Sequence, residues 1–461
     1  MKYDIYQQNV ITSKEENIMV VAGAGSGKTA VIVGRIEYLI DILKVDPKSI
    51  TILSYTKKAV EELKERVKCD EVNICTIHSL AYTICKESLR QNLKIITNNI
   101  QLEIVEYYFK NIISNYDKKI INSYFENQKA LKDTIIKLIS SDNNILIDTK
   151  NSKGKFLDNL FHKILSYYEK IKKINDYYDY KDLLEMAIKH FKDLNLSIKY
   201  LLVDEYQDLT DLKYEFIKEI KTTTSANLLV VGDDAQSIYR FNGSNINIFY
   251  SFEKDFEKVR IYRLKYTYRF SKELIEITSR FIENNKRQLK KELLSTKELK
   301  NPVIIKYCGS YERKAFVLEK IINNISETNK ILILGRYNFD IKFILTNPNF
   351  IFQKNINKIK YLKNLNYDIT YLTVHSAKGL GFDEVIIINN ENTLYGFPSK
   401  VVNNIIKENM KELVFEERRL FYVALTRTKN HVYCLVNLWH QSKFIKELKK
   451  IINIRSKQKI T

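Results

Sequence analysis

The chain has 461 residues and a formal net charge of +20 at pH 7, because 75 Lys and Arg outnumber 55 Asp and Glu. A hydrophobic share of 45% excludes wholesale disorder, and only 12 Gly and 4 Pro exclude collagen-like and linker-rich architectures. The 5 Cys form no CxxC pair, and no apolar run reaches the ~18 residues of a membrane span. We therefore expect a cytoplasmic protein with free thiols, no membrane partner and a polyanionic ligand.

Short apolar runs bounded by turn residues predict strands that are covered on both faces. These runs lie at residues 17–21, 49–54, 200–204, 227–233, 302–307, 330–335, 369–374 and 383–389. Helical patterns separate them, and the first pattern places Val33, Ile36, Ile40 and Leu43 on one helix face. The alternation predicts an α/β fold with two parallel sheets, each with helices on both sides.

Two lysine-rich segments interrupt this alternation. Residues 90–195 are rich in Lys, Asn and Tyr and helical in pattern, which predicts a helical insertion in the first domain. Residues 286–300 form a second basic run, which we expect to be a loop or short helices. We interpret both segments as solvated charged faces in preference to binding patches. The expected domain boundaries are 1–265, including the insertion at about 90–195, and 266–461.

The stretch NIMVVAGAGSGKT at residues 17–29 is a predicted buried strand that runs into a glycine-rich turn and then a helix. Small residues in such a turn let backbone N–H groups converge on phosphate oxygens at the helix N-terminus. Lys28 would reach the β- and γ-phosphates of a nucleotide, and the Thr29 hydroxyl would bind Mg²⁺. A turn without a ligand is the alternative. The expected nucleotide-binding residues are Ala22, Gly23, Ala24, Gly25, Ser26, Gly27, Lys28, Thr29 and Ala30.

An acidic pair follows another predicted strand. In LLVDEYQD, Asp204 and Glu205 stand at the strand's carboxyl end, where open α/β sheets bind ligands. Asp204 suits coordination of the Mg²⁺ ion held by Thr29, and Glu205 suits polarisation of the attacking water. Adjacent acids at a strand end also occur as a simple capping turn, but beside a phosphate-binding loop they favour nucleotide hydrolysis.

The segments AGAGSGKT, VDEYQD and GDDAQSIYRFNGS, in this order, resemble the UvrD/Rep group of superfamily 1 DNA helicases. The resemblance runs from Gln7 to about Cys434, and YRFNG together with YGFPSK and EERRLFYVALTR looks most like the helicase IV branch. It implies two RecA-like parallel-sheet domains of the P-loop NTPase class, ATP and Mg²⁺ as cofactors, and single-stranded or partly duplex DNA as partner. The short interval between Arg269 and Thr373 implies that the accessory domain of larger relatives is absent or vestigial.

The resemblance also implies roles in nucleotide handling. Gln7 would read adenine, with Gln8 as the alternative register, and Tyr268 would stack on the base. Gln236 would sense the γ-phosphate, while Arg269 and Arg427 would spread its developing charge, the latter as an arginine finger from the second domain. The residues expected to be catalytic are Lys28, Glu205, Gln236, Arg269 and Arg427. Gly381 stands where many relatives carry a ribose-binding Glu, which leaves the choice between ATP and dATP open.

A second set of residues resembles the DNA-contacting segments of the family. Aromatic side chains in this set suit base stacking and the polar ones suit phosphate contacts. The expected DNA-binding residues are Tyr55, Thr56, Lys57, His78, Tyr239, Phe241, Asn242 and His375. For Tyr239 and Phe241 an ordinary place in the core is the alternative, and for His375 a structural hydrogen bond.

The resemblance implies an ATP-dependent DNA helicase or translocase that moves 3′→5′ on single-stranded DNA in repair, recombination or defence. The alternative function is a helicase-like ATPase and DNA-sensing subunit that regulates a partner nuclease in a phage-defence system. A nuclease or repair protein is thus an expected partner, and RNA is open as a substrate. A P-loop kinase or other small-molecule ATPase is disfavoured by the aromatic pair Tyr239 and Phe241.

Overall fold

The computed structural model describes residues 3–124, 128–141, 147–194, 196–401 and 409–458. Within these ranges no helix is both long and apolar enough to cross a membrane. The elements of the first half are, in chain order, α1 (Ile5–Ile11), β1 (Asn17–Val21), α2 (Lys28–Glu37), β2 (Ile50–Ser54), α3 (Lys57–Arg66), β3 (Asn73–Thr76), α4 (Ile77–Leu89), β4 (Lys94–Ile95), α5 (Asn98–Tyr107), α6 (Asn115–Tyr124), α7 (Gln128–Ile139), α8 (Ser152–Asn175), β5 (Tyr177–Tyr178), α9 (Tyr180–His190), β6 (Tyr200–Val203), α10 (Asp211–Thr224), β7 (Asn227–Gly232), α11 (Ile246–Asp255) and β8 (Val259–Arg263).

The second half is built in the same way. Its elements are α12 (Lys272–Ile282), β9 (Val303–Cys308), α13 (Tyr311–Asn323), β10 (Ile331–Gly335), α14 (Ile341–Ile344), β11 (Phe350–Gln353), β12 (Lys358–Tyr361), β13 (Ile369–Thr373), β14 (Glu384–Ile387), α15 (Met410–Leu425), β15 (Val432–Asn437) and α16 (Lys443–Gln458).

The first sheet is parallel throughout, in the order β3-β2-β6-β7-β1-β8. Its central strands separate two hydrophobic cores: Met19 and Val21 of β1 face one core, and Ile18 and Val20 face the other. The four predicted strands of this half are confirmed. The edge strands β3 and β8 were missed because their side chains are only partly buried, so they lack a continuous apolar run.

The second sheet has the order β11-β12-β13-β10-β14-β15-β9 and is mixed. β9, β15, β14, β10 and β13 run parallel, but β11 and β12 form an antiparallel hairpin that closes one edge. The expectation of a wholly parallel sheet was therefore wrong at this edge. The hairpin and α14 occupy the interval between β10 and β13, so that part of this interval belongs to the sheet itself. β15 was missed although its buried run VYCLVN carries the signal.

A helical insertion follows α4, as predicted. Helices α5 to α8 have a hydrophobic core of their own, which includes Ile104, Val105, Leu160 and Ile164. Helix α9 differs, since its residue Leu184 packs in the core of the first sheet. The self-contained part of the insertion thus ends before α9.

The helix face predicted after the first strand is only partly correct. Val33 and Ile36 of α2 are buried as predicted, but Leu43 is exposed. Helix α2 ends at Glu37, and a π-helical turn at Tyr38–Ile42 rotates the following side chains relative to the predicted face. Leu39 is therefore buried, whereas the predicted positions Ile40 and Leu43 are not.

The basic run at 286–300 is irregular and only partly solvated. The side chain of Lys291 is only 11% exposed and forms ion pairs with Asp233 and Asp234. The side chain of Leu293 lies so close to Gly23 that a Cβ atom there would come within 2.7 Å of it. The segment therefore packs against the first domain. The prediction of a solvated charged face was wrong for its central residues, Lys291 and Leu293.

Phe421 is the centre of the core beneath the second sheet. It is fully buried, and its ring centroid lies 5.4 Å from that of Phe281, 4.8 Å from that of Phe397 and 5.4 Å from that of Phe444. We expect Phe421→Ala to lower the free energy of unfolding by about 3–5 kcal/mol, measured by urea denaturation followed by far-UV circular dichroism. The exposed Phe316 supplies the control, since Phe316→Ala should change it by about 0.5 kcal/mol or less. Equal effects of the two substitutions would contradict this account.

Candidate nucleotide site and nucleic-acid interface

The glycine-rich turn between β1 and α2 has a backbone that only glycine fits. Gly25 and Gly27 have φ values of +74° and +84°. A Cβ atom on Gly25 would come within 2.6 Å of Arg269 Cβ, and one on Gly27 within 2.6 Å of Gln7 Nε2. The loop is braced by Ser26 Oγ, which donates to the carbonyl of Gly23 at 2.9 Å. Because the first N–H groups of α2 have no partner within the helix, this loop is suited to hold an anion.

The remaining residues of the turn lie where the sequence predicts. Ala22 and Ala24 are buried beneath it. Lys28, Thr29 and Ala30 form the first turn of α2 and are partly exposed.

Lys28 faces the acidic pair at the end of β6. Its Nζ lies 2.8 Å from Glu205 Oε1, and Asp204 Oδ1 accepts the backbone N–H of Glu205 at 2.8 Å. Glu205 has a φ of +52°, a left-handed conformation that non-glycine residues adopt only at a cost and that is common at functional sites. The structure thus brings the two predicted acids and the predicted lysine together.

The charges of this group are strongly coupled. Burial alone would raise the pKa of Glu205, but the positive charges of Lys28 and Lys378 outweigh burial and lower it. Burial and the neighbouring Glu205 raise the pKa of Asp204. Burial disfavours the charged form of Lys28, yet the surrounding carboxylates more than offset this and raise its pKa. The surroundings therefore favour the charged forms of Lys28 and Glu205 and disfavour the charged form of Asp204.

Gln7, and not Gln8, lies on the loop. Its Nε2 donates to the Ser26 carbonyl at 3.1 Å, while its Oε1 accepts the backbone N–H of Asp4 at 3.2 Å in a capping box that begins α1. Gln8 is exposed and donates to the carbonyl of Tyr3. Tyr268 is 52% exposed and is held beside the loop by its backbone N–H, which donates to Gly25 at 2.9 Å.

Two predicted arginines lie close together, and one of them, Arg269, lies against Gly25 of the turn. Arg427 is fully buried, and its Nη2 donates to Gln236 Oε1 at 3.1 Å while Nη1 donates to the Leu380 carbonyl at 3.2 Å. Arg269 Nη1 donates to the Thr426 carbonyl at 3.1 Å. Over the described ranges, neither guanidinium forms an ion pair with a carboxylate.

This arrangement leaves positive charge in a buried place. Burial and the nearby Arg269 lower the pKa of Arg427 to about 9, and burial lowers the pKa of Arg269. Gln236 Nε2 also donates to Asp233 Oδ2 at 2.6 Å. Hydrogen bonds therefore join Arg427 through Gln236 to Asp233, and Asp233 also raises the pKa of Lys28.

Aromatic side chains from both halves of the chain meet near the acidic pair. The rings of Tyr55 and Tyr239 stack with centroids 5.7 Å apart and 12° between their planes. The ring of Phe241 stands edge-on to His375 at 5.1 Å. Phe241 is 49% exposed, so the alternative that it is a core aromatic does not hold. We name Tyr55, Tyr239, Phe241 and His375 the boundary cluster, because His375 comes from the second sheet and the others from the first.

The other predicted DNA contacts lie nearby in sequence but differ in setting. Thr56 Oγ1 accepts the backbone N–H of Ala59 and begins α3, while Lys57 and Asn242 are exposed. The His78 ring lies 4.7 Å from the ring of Tyr180 on α9, at the root of the insertion.

Lys378 is a residue that the sequence reading missed. It is buried, it forms an ion pair with Asp208, and its Nζ lies 3.8 Å from Glu205 Oε2. The same Nζ lies 4.8 Å from the centre of the Tyr239 ring. One cation of the second sheet thus contacts both the acidic pair and the boundary cluster. The sequence offered one signal for Lys378: it is the first residue of KGLGF and follows the predicted DNA-binding residue His375 by three positions.

Gly381 lies against Arg269. A Cβ atom on Gly381 would be 3.2 Å from Arg269 Nε, so a larger side chain at this position would contact the guanidinium directly.

The sequence model of the UvrD/REP helicase N-terminal domain matches residues 4–257, more than half of the chain. The chain belongs to the UvrD/Rep helicase family. The model of the UvrD-like helicase C-terminal domain matches residues 349–438. The two α/β halves are accordingly the two RecA-like domains of a UvrD/Rep-type protein.

Curated relatives of this UvrD/Rep chain carry helicase names. It is 27% identical to the ATP-dependent DNA helicase Rep of Buchnera aphidicola subsp. Baizongia pistaciae, over 92% of this chain and 64% of that protein. It is 27% identical to DNA helicase IV of Escherichia coli K12, over 96% and 70%. It is 31% identical to the ATP-dependent DNA helicase PcrA of Bacillus subtilis, over 62% and 40%. The matched part of the chain therefore spans from 40% to 70% of the length of these relatives.

The partly buried His375 should make the stability of this UvrD/Rep chain depend on pH. Burial, with the charges of Arg336 and Lys378, lowers the pKa of His375 from 6.5 to about 3. As the pH falls below 6.5, the unfolded chain takes up this proton first, so the free energy of unfolding decreases progressively until the pH reaches about 3. The loss between about pH 7 and pH 5 should be about 2 kcal/mol.

Urea unfolding at several pH values would measure this loss. The variant His375→Gln cannot titrate at this position and should show a flatter pH dependence than the wild type. His162, whose side chain is exposed, provides the control variant His162→Gln. A slope in His375→Gln equal to that of the wild type would contradict the prediction.

Proposed function

We propose that this chain is an ATP-driven DNA helicase or translocase that moves 3′→5′ on single-stranded DNA. The observation that carries the proposal is the arginine pair. The buried Arg427 donates to Gln236, and the partly buried Arg269, which lies against Gly25 of the turn, donates to the Thr426 carbonyl. A triphosphate on the loop would supply the negative charge that these groups lack. The direction of movement is proposed from the family resemblance.

In the proposed hydrolysis, each side chain has a separate task. Lys28 would leave Glu205 for the phosphates, and Glu205 would then be free to orient the attacking water. Gln236 and Arg427 would contact the γ-phosphate from opposite domains, so that the space between them closes only around a triphosphate. Gln7 and Tyr268 would hold the base at the outer side of the loop.

Mg²⁺ is the expected ion at this site. A hydroxyl from Thr29 and a carboxylate from Asp204 are the oxygen ligands that Mg²⁺ prefers, and the raised pKa of Asp204 means that a cation would stabilise its charged form. When bound, the ion would neutralise charge on the phosphate oxygens.

DNA would bind across the boundary cluster. Its partly exposed rings suit sequence-independent stacking, and the net charge of +20 suits a polyanionic backbone. Lys378 would couple the two sites, since it contacts the Tyr239 ring and the carboxylates next to Lys28. Hydrolysis would then alter the grip of the cluster on the strand.

Removal of the loop lysine tests the nucleotide site. Lys28→Ala should reduce ATP turnover on the order of a hundredfold or more, because the variant lacks the cation that contacts the phosphates. Phosphate release would be measured with and without oligothymidylate. The exposed Lys14 supplies the control Lys14→Ala, which should retain wild-type turnover. Turnover by Lys28→Ala at the wild-type rate would remove the loop from the proposed mechanism.

Removal of two rings of the boundary cluster tests the DNA site. Tyr239→Ala with Phe241→Ala should bind a fluorescent ATP analogue normally but lose most of the stimulation of ATPase by single-stranded DNA, since each stack contributes about 1–3 kcal/mol. Phe316→Ala should keep full stimulation. Undiminished stimulation in the double variant would exclude these rings from DNA binding.

Strand displacement then separates the two functions left open by the sequence. Unwinding of a partly duplex substrate by the isolated protein supports a helicase. DNA-stimulated ATPase without unwinding supports a translocase or a DNA-sensing subunit that acts with a partner. ATP turnover indifferent to single-stranded DNA would instead indicate a small-molecule ATPase.

A further inference from the structure

Lys291 is a cation beside the nucleotide site to which the proposed function gives no task. Its side chain is mostly buried and forms ion pairs with Asp233 and Asp234, the second with 2.5 Å between Nζ and Oδ1. Both carboxylates are fully buried and follow directly after β7. Burial disfavours the charged form of Lys291, but the two carboxylates more than offset this and raise its pKa. A buried positive charge therefore cancels negative charge at the carboxyl edge of the first sheet.

The backbone on both sides of Lys291 is fixed by hydrogen bonds. Before it, the Leu289 N–H donates to Asp234 Oδ2 at 2.8 Å. After it, the Leu294 N–H donates to the Lys265 carbonyl at 2.7 Å. The lysine lies between these two attachments, so the local backbone holds it beside the end of β7.

Asp233 orients the side-chain amide of Gln236. Its Oδ2 accepts a hydrogen bond from Gln236 Nε2 at 2.6 Å, while Gln236 Oε1 accepts one from Arg427 Nη2 at 3.1 Å. An amide nitrogen carries two hydrogens, so Nε2 has a second N–H to donate. In the proposed function this N–H suits the γ-phosphate, because ionised phosphate oxygens only accept hydrogen bonds. Asp233 thus selects the orientation in which the amide nitrogen serves the nucleotide.

A buried carboxylate is costly at a site for a triphosphate. The charge of Asp233 acts on Lys28, the lysine of the phosphate-binding loop. Without a counter-charge, this carboxylate would repel the γ-phosphate and would itself be an uncompensated buried charge. Lys291 removes both problems, because it pairs with Oδ1 of Asp233 and leaves Oδ2 to Gln236.

We propose that Lys291 is a positioning residue for ATP hydrolysis, which neutralises Asp233 so that this carboxylate can hold the amide of Gln236 towards the γ-phosphate. The inference rests on the proposed function, because it takes Gln236 to contact that phosphate. Lys291 acts through Asp233 and does not itself contact the nucleotide. Binding of a triphosphate should therefore depend on Lys291 more strongly than binding of a diphosphate, which lacks the group that Gln236 contacts.

Nucleotide affinity of Lys291→Met tests the proposal. The Kd of a fluorescent non-hydrolysable ATP analogue and that of the matching ADP derivative would be measured with Mg²⁺. Lys291→Met should bind the ATP analogue about tenfold or more weakly and the ADP derivative as tightly as the wild type. Lys291→Arg keeps the charge and should retain the preference for the triphosphate to within about threefold. The exposed neighbour supplies the control Lys290→Met, which should match the wild type with both nucleotides.

A double variant shows whether Lys291 acts through Asp233. Lys291→Met combined with Asp233→Asn should bind the ATP analogue no more weakly than the weaker of the two single variants, because Asp233→Asn removes the charge that Lys291 neutralises. Asp234 keeps the Leu289 N–H and the Gln288 amide as partners in this variant. Losses that multiply in the double variant would mean that the two residues act independently, and would overturn the proposal.

A purely structural lysine gives a different result. It predicts that Lys291→Met loses affinity for both nucleotides equally, which would overturn the proposal, as would wild-type affinity for both. Far-UV circular dichroism would establish that each variant folds, and Lys291→Gln replaces Lys291→Met if the latter does not. Failure of both uncharged variants to fold would also overturn the proposal, because the charge would then serve the fold and not the amide.

The inference and the proposed function can fail separately. If the wild type does not hydrolyse ATP, both fail. If the wild type hydrolyses ATP and Lys28→Ala does not, while Lys291→Met keeps wild-type affinity for the ATP analogue, only the role of Lys291 is excluded.

Discussion

Arg427 donates a hydrogen bond to Gln236 across the boundary between the two domains, and Arg269 lies beside it with a carbonyl oxygen as partner. Two guanidinium groups in a buried place repel each other unless an anion lies between them. Lys28, by contrast, is already neutralised by Glu205. In the proposed function, a bound triphosphate would compensate the arginines and free the glutamate in one event.

Lys378 extends this balance to the aromatic side. Its ion pair with Asp208 and its approach to Glu205 and the Tyr239 ring join the charges at the nucleotide loop to the boundary cluster through one side chain of the second domain. A change of charge at Glu205 alters the field on Lys378 directly, since the Lys378 side chain is buried, the Glu205 side chain is mostly shielded from water, and screening is therefore weak. In the proposed motor, this is a direct physical route between hydrolysis and the grip on DNA.

Sequence reasoning was correct where a local pattern of residues was sufficient to identify the structure. The buried central strands have continuous apolar runs, and the loop around Lys28 has a spacing that few other structures share. It failed where structure depends on neighbours distant in sequence: β8 has polar residues because it is an edge, and Leu43 is exposed because a π-turn shifts the register after Glu37. Lys291 looked like a surface lysine, and only the fold brings Asp233 to it.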